Sequence, residues 1–201
     1  MKTAARLITI LFHPLIMPTI GLLIILNSGT YLSLLDPAAK RAVLFVMALG
    51  TLLFPLMMIP VLYYRNLISS LQNASREERF LPYLIILILY VITFVYFLRL
   101  PLSKVIHAYV LSVSILLFLM MVVTLWFRIC GHTAALGGIV GLIIALILLY
   151  ETPLELFLAA AILIAGLVAT SRLKLEVQRP VEVYTGFLLG FAVVLTTMLV
   201  Y

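Results

Sequence analysis

The sequence predicts an all-α integral membrane protein, a bundle of about seven transmembrane helices that forms one transmembrane domain over residues 1–201. Of its 201 residues, 66% are apolar and only 10% are charged. A soluble domain carries about 25% charged residues, so this chain lacks the polar surface that a water-exposed globule needs. Its apolar runs have the length of about 20 residues that crosses a membrane as a helix. Runs such as residues 84–90 do not alternate apolar and polar side chains, which argues against the strands of a transmembrane barrel.

Seven apolar runs account for these spans. The segments between them hold the glycine, proline and polar residues that end helices, together with most of the charges. The first run follows Lys2 and Arg6, as in a signal peptide, but no small-residue cleavage site follows it. We therefore interpret it as a spanning helix that is kinked, or begins late, because of Pro14 and Pro18. The predicted spans are residues 7–27, 41–64, 81–98, 104–127, 133–150, 154–171 and 181–201.

Net charge narrows the function classes and predicts an orientation. The charge is +6, but the basic residues are spread over loops and helix ends, so we predict no nucleic-acid partner. In a membrane protein such an excess sets the orientation, with the richer side in the cytoplasm. We expect a protein of the cell inner membrane with nine Lys and Arg residues on the cytoplasmic side and four on the other. The nine are Lys2, Arg6, Arg65, Arg76, Arg79, Arg128, Arg172, Lys174 and Arg179, and the four are Lys40, Arg41, Arg99 and Lys104.

Three polar segments on the nine-residue side are the places where chemistry can be concentrated. They are residues 73–82, 128–134 and 171–186. Two predicted helices separate the first segment from the second, and two more separate the second from the third. All three can therefore meet at one membrane face, where we predict a polar site.

Each polar segment contains groups that suit an anion. Arg76 and Arg79 are three residues apart, so a helical turn presents both guanidinium groups to one point, and the arginine fork matches phosphate or carboxylate oxygens. Gly131 and His132 stand at the start of a long run, where free N–H groups and the positive helix dipole favour a phosphate. Arg172 closes the sixth run and adds a third guanidinium at the same depth.

Structural interpretations compete with these functional ones. Arginines at helix ends commonly snorkel to the membrane surface, and a histidine such as His132 can cap or pack a helix. His13 and His107 have no polar neighbours in the sequence, and we interpret both as structural. The small-residue stripes at 137–141 and 186–190 predict close helix packing.

Glu182 and Cys130 are two further candidate residues with reactive side chains. Glu182 lies just inside the last run, where an ionised carboxylate needs a partner, and we expect an arginine. The lone Cys130 permits neither an internal disulfide nor a cysteine metal cluster, so it leaves the redox compartment open. The three histidines lack metal-ligand spacing, and we predict neither a metal nor a cofactor.

The polar segments resemble the motifs of the type 2 phosphatidic acid phosphatase family, the membrane lipid phosphatases related to vanadium haloperoxidases. Residues 131–134, Gly-His-Thr-Ala, match the family's Pro-Ser-Gly-His motif, with Ile129 and Cys130 in place of proline and serine. Ser171 and Arg172 open the third motif, and Glu182 falls where an aspartate is expected. Residues 183–190 look like the helix that follows this motif, and residues 76–82 match the basic first motif loosely. The resemblance extends over about residues 76–190.

The resemblance implies a site for a phosphate-bearing membrane lipid such as phosphatidate, phosphatidylglycerol phosphate or a polyprenyl pyrophosphate, whose tail enters between helices. The nucleophilic histidine of the family falls on Gln178, and an amide nitrogen is a very poor nucleophile. The implied phosphatase is therefore weakly active or inactive. An altered sequence, a natural pseudoenzyme and an altered mechanism all fit this replacement. The implied catalytic positions are His132, Gln178 and Glu182, and the implied substrate-binding residues are Arg76, Arg79, Cys130, Gly131, Ser171 and Arg172.

Two other function classes remain alternatives. The chain can be a non-catalytic binder or carrier of an anionic lipid that keeps the phosphate-binding residues. It can also be a secondary transporter, but the sequence contains no convincing internal repeat, and its polar residues gather at one face instead of the membrane midplane. The Lys and Arg count predicts a cytoplasmic site, whereas members of the resembled family commonly work at the outer face, so the sequence leaves open which side the site faces. It also leaves open the substrate, whether the chain is an active enzyme and what its oligomeric state is.

Overall fold

The computed structural model describes residues 2–29, 35–64 and 76–201. Within these ranges the regular structure is helical, as the sequence predicts. The helices are α1 (Lys2–Leu11), α2 (Met17–Leu26), α3 (Pro37–Ala48), a π-helical turn (Leu49–Leu53), α4 (Phe54–Tyr64), α5 (Arg76–Leu98), α6 (Lys104–Thr124), α7 (Gly131–Tyr150), α8 (Glu155–Lys174) and α9 (Pro180–Val200).

The structure does not confirm the first predicted span as a continuous helix, although the interruption lies at its prolines, as the sequence predicts. This span is divided into α1 and α2, each of ten residues, and ten residues extend only about 15 Å along a helix axis. The break falls at residues 12–16, where Pro14 lacks an N–H group and disfavours the helical conformation of His13 before it. Pro18 stands in the first turn of α2, a position that proline suits.

Six other stretches are long and apolar enough to cross a membrane, by length and composition, among the residues that the structure describes. They agree with the second to seventh predicted spans, and they support an integral membrane protein. α2 is apolar but too short to be counted with them. The six are Pro37–Leu62, Phe80–Leu98, Lys104–Thr124, Gly131–Tyr150, Glu155–Lys174 and Pro180–Val200.

The N-terminal cap of α3 explains why this helix begins earlier than the second predicted span. The carboxylate of Asp36 accepts hydrogen bonds from the backbone N–H groups of Ala38 (2.9 Å) and Ala39 (3.3 Å). These two groups would otherwise have no partner in the first turn of the helix. Pro37 occupies the first helical position, so the helix includes Lys40 instead of starting at Arg41.

α7 is the central helix of the bundle. Of its span, 67% is buried inside the protein, against 17% of Phe80–Leu98. It packs most extensively against α9 and also contacts α8 and α2. On the outer helices, large apolar side chains such as Leu156 and Leu163 are exposed, as expected of surfaces that face lipid tails.

One end of the bundle, which we call the site end, gathers the starts of α7 and α9 and the end of α8. The N–H group of Cys130, directly before α7, donates to the carbonyl oxygen of Glu182 in the first turn of α9 (3.0 Å). Arg172, in the last turn of α8, contacts Gln178 in the connection to α9. The second and third polar segments therefore lie against each other, which is the placement that their even helix spacing predicts.

Candidate functional site

The starts of α7 and α9 are joined by backbone and hydroxyl hydrogen bonds. The hydroxyl of Thr133 lies 2.8 Å from the carbonyl oxygen of Val183 and 3.2 Å from that of Cys130, and it donates to them. Gly186 allows this approach, because a Cβ atom there would lie 2.7 Å from the Cys130 carbonyl oxygen. Cys130 itself is fully buried. This contact fixes the position of His132, which lies between Gly131 and Thr133 in the first turn of α7.

Arg172 and Gln178 form a side-chain hydrogen bond between the end of α8 and the start of α9. The Nε–H group of Arg172 donates to Gln178 Oε1 across 3.2 Å. The connection turns sharply at Glu176, whose φ of 55° places it in the left-handed region. Ser171, next to Arg172, is buried at the end of α8. The position of the predicted nucleophile therefore lies in contact with the predicted phosphate-binding arginine.

Glu182 accepts a hydrogen bond from the backbone directly before α9. The donor to its carboxylate is the N–H group of Arg179 (3.3 Å). The Glu182 side chain is only 6% exposed. α9 begins at Pro180, so Gln178 precedes the helix and does not share a helical face with Glu182. The hydrogen bond to Glu182 comes from a backbone group, whereas the sequence predicted an arginine side chain.

His132 lies beside a second histidine that the sequence analysis assigned a structural role. The rings of His132 and His13 are 5.6 Å apart between centroids and meet edge to face at 79°. Arg172 lies within electrostatic range of both rings. In the part of the chain that the structure describes, the Nε2 atom of His132 is buried without a hydrogen-bond partner. The guanidinium of Arg172 and the imidazole rings of His13 and His132 therefore lie near one another at the site end.

His13 is the site residue that the sequence analysis missed. Its neighbours in the sequence are apolar, and its polar surroundings come from α7 and α8. One sequence signal was available, because His13 precedes Pro14 in the middle of an apolar run. A titratable residue at a break between two short apolar helices is typical of ligand sites in membrane proteins.

A cavity of about 350 Å³ begins at this cluster and continues between α2, α5, α6 and α7. Its volume lies within the range of small-molecule sites. The hydroxyl of Tyr109 at its deeper part donates to the carbonyl oxygen of Pro18 (3.1 Å), which holds α2 against α6. The lining is mostly apolar, and it includes His13, Gly131, Pro82, Ile86, Met120 and Ile139. A ligand with an anionic head and an apolar tail matches this combination.

Arg76 and Arg79 lie in the first turn of α5, and residues 73–75 of the same segment lie outside the described residues. The backbone places the two arginines on one helical face, but their side chains also fall outside the description. Pro82, one turn further along α5, lines the cavity together with Gly131. The backbone of Arg79 therefore lies about 4.5 Å from that of Pro82 along the helix axis, closer to the start of α5.

We expect cysteine labelling to establish which side of the membrane the site faces. Because Cys130 is fully buried, we suggest replacing it with Ala and introducing a single cysteine at Arg128 or Glu155, which are exposed near the site end and at the opposite end. The Lys and Arg distribution predicts that a membrane-impermeant maleimide labels Glu155→Cys in intact cells. It predicts that Arg128→Cys is labelled only after permeabilisation. The reverse pattern would contradict the predicted orientation.

No family model, curated protein or solved structure matches this chain. The chemistry of the site end is therefore the basis for a functional assignment.

Proposed function

We propose that this chain is a lipid phosphatase-like membrane protein that binds the phosphate headgroup of a membrane lipid. The lipid class is that of phosphatidate, phosphatidylglycerol phosphate or a polyprenyl pyrophosphate, and turnover is weak or absent because of Gln178. The observation that carries this proposal is the contact between Arg172 and Gln178, 3.2 Å, at the end of the bundle where His13, in contact with His132, lines an apolar cavity.

The phosphate would be held by charge and by N–H donors. Arg172 supplies a guanidinium, whose hydrogen bonds to an anion are charge-assisted. The first turn of α7 adds backbone N–H groups and the positive end of a long, buried helix dipole. Arg76 and Arg79, from the first turn of α5, are the further basic residues that we assign to the headgroup. The acyl or prenyl tail would occupy the apolar cavity.

Catalysis would need three roles, and the chain lacks a residue for one of them. In an intact site His132 would donate a proton to the leaving oxygen, and Arg172 would stabilise charge on the transferring phosphoryl group. The nucleophile position holds Gln178, whose amide nitrogen has its lone pair delocalised into the carbonyl group. Its Oε1 atom instead accepts a hydrogen bond from Arg172. This replacement also favours the second candidate, a non-catalytic binder or carrier of anionic lipid.

Binding of dioctanoyl phosphatidate to the purified protein in detergent tests the proposal. We expect saturable binding with little release of inorganic phosphate, and much weaker binding of dioctanoylglycerol, which lacks the phosphate. Arg172→Ala should weaken phosphatidate binding by about tenfold or more, because it removes charge-assisted hydrogen bonds of about 1.5–3 kcal/mol. Isothermal titration calorimetry measures the affinity, and a colorimetric phosphate assay measures the release.

A matched arginine provides the control. Arg99, exposed at the opposite end of the bundle after α5, can be replaced by Ala with the same loss of charge, and we expect the affinity to stay within about twofold. Equal affinity for dioctanoylglycerol, or an unchanged affinity in Arg172→Ala, would contradict a phosphate site at Arg172.

A further inference from the structure

His13 lies at the meeting point of the polar cluster and the apolar cavity. It occupies the break between α1 and α2 and lies outside the six spanning stretches. Its ring contacts the ring of His132, and its side chain lines the cavity beside Gly131. A ligand whose tail fills the cavity and whose head reaches Arg172 would therefore pass next to this ring.

The hydrogen-bonding state of His13 is set by its own backbone turn. The N–H group of Leu15 donates to His13 Nδ1 across 3.3 Å. Because Nδ1 is the acceptor, the neutral ring carries its hydrogen on Nε2. Burial, and then the positive charge of Arg172, lower the pKa of His13, so the ring is neutral at pH 7. His13 therefore offers one N–H donor and no free lone pair at Nε2.

A neutral His13 ring with its hydrogen on Nε2 is unsuited to act as a nucleophile but can act as a hydrogen-bond donor. A neutral ring with hydrogen on Nε2 has no lone pair there for attack on phosphorus, so His13 does not replace the missing nucleophile at position 178. An N–H group instead suits a phosphate oxygen. Arg172 can stand close to a neutral ring without the repulsion that a protonated ring would cause.

We propose that His13 is a further binding residue of the site, and that it donates its Nε2 hydrogen to the phosphate of the bound lipid from the break between α1 and α2. This inference rests on the proposed function, because it requires the phosphate at Arg172. It assigns the N-terminal segment, which lies outside all three polar segments of the sequence, a direct contact with the headgroup.

Two replacements of His13 distinguish a hydrogen bond from simple packing. His13→Phe keeps an aromatic ring of similar size but has no donor, and we expect dioctanoyl phosphatidate binding to weaken by about tenfold. His13→Gln places an amide N–H group near the former Nε2 position, and we expect affinity within about threefold of the unmodified protein. His107→Phe is the matched control, because the Nε2 atom of His107 pairs with the Phe97 carbonyl oxygen (3.0 Å) at the other end of the bundle.

The outcomes separate this inference from the proposed function. If Arg172→Ala weakens binding and His13→Phe does not, the role of His13 is overturned and the site at Arg172 stands. If neither variant weakens binding, both are overturned. An equal loss in His13→Phe and His13→Gln would indicate packing and would also overturn the hydrogen bond.

A spectroscopic measurement covers the case in which His13→Phe does not fold. In unmodified protein labelled with ¹⁵N-histidine, the Nε2 signal of His13, assigned with His13→Gln, should shift when dioctanoyl phosphatidate is added. A constant His13 signal, together with a shifted His132 signal, would overturn the proposal.

Discussion

Replacing Gln178 with His should raise phosphate release from lipid phosphates by at least roughly a hundredfold. The replacement supplies an imidazole at the position in contact with Arg172, so that a phosphate held by the guanidinium would lie within reach of a nucleophile. Loss of a nucleophile can cost about six orders of magnitude in rate, so the expected gain recovers only part of a full active site. Inorganic phosphate released from phosphatidate or a polyprenyl pyrophosphate in detergent micelles is the measurement.

The geometry around Glu182 explains why we expect only partial recovery. In the family that the motifs resemble, an acidic residue at this position orients the nucleophilic histidine. Here the Glu182 carboxylate already accepts a hydrogen bond from the Arg179 N–H group, and position 178 lies before α9 instead of one turn away on the same helix. A new imidazole would therefore be oriented less well than in an intact site.

Two control variants test the origin of the gain. Gln178→Asn keeps an amide without a ring and should release no more phosphate than the unmodified protein. Adding Arg172→Ala to Gln178→His should abolish the increase, because the phosphate loses its guanidinium. Rapid release by the unmodified protein would show that Gln178 is not at a nucleophile position. A folded Gln178→His variant without any increase would favour the non-catalytic lipid binder.

The six spanning stretches could be predicted from the sequence because each spanning helix corresponds to one continuous apolar run of the required length. A run of about 20 apolar residues has few alternatives in lipid, since every backbone N–H group must be paired within the helix. The first run met the same length criterion, yet residues 12–16 interrupt it. Pro14 and Pro18 indicated a kink or a late start, but the sequence did not show that α1 ends at Leu11 and that α2 begins only at Met17.

The candidate site was predictable only where its residues fall within short motifs. Arg172 and Gln178 are six residues apart, and their contact follows from one turn between two helices. His13 and His132 are distant in the sequence, and only the folding of the α1–α2 break against α7 brings their rings together. Gln178 and Glu182 are four residues apart in the sequence, but α9 begins only at Pro180, so this spacing does not place them on one helical face.

The contact between α7 and α9 that carries the site depends on glycines. A Cβ atom at Gly190 would overlap the backbone carbonyl group of Ala134, and one at Gly137 would overlap that of Phe187. At Gly141 a Cβ atom would lie 2.7 Å from the carbonyl oxygen of Phe191. Since each obstacle is backbone, a side-chain rotation cannot relieve it. The small-residue stripes in the sequence thus correspond to the close helix packing that they predict.

We therefore expect Gly190→Ala to destabilise the protein strongly, by about 2–3 kcal/mol, because α9 must move away from α7 to admit the methyl group. The same movement would separate Thr133 from Val183 and should weaken phosphatidate binding as well. Gly166→Ala is the matched control, since Gly166 is also helical but has no atom within 4 Å of its Cβ position. It should be neutral or stabilising by up to about 1 kcal/mol. The fraction of protein that stays monodisperse after heating in detergent gives an apparent Tm for each variant. Equal Tm values for the two variants would show that α7 and α9 do not approach as closely as this packing requires.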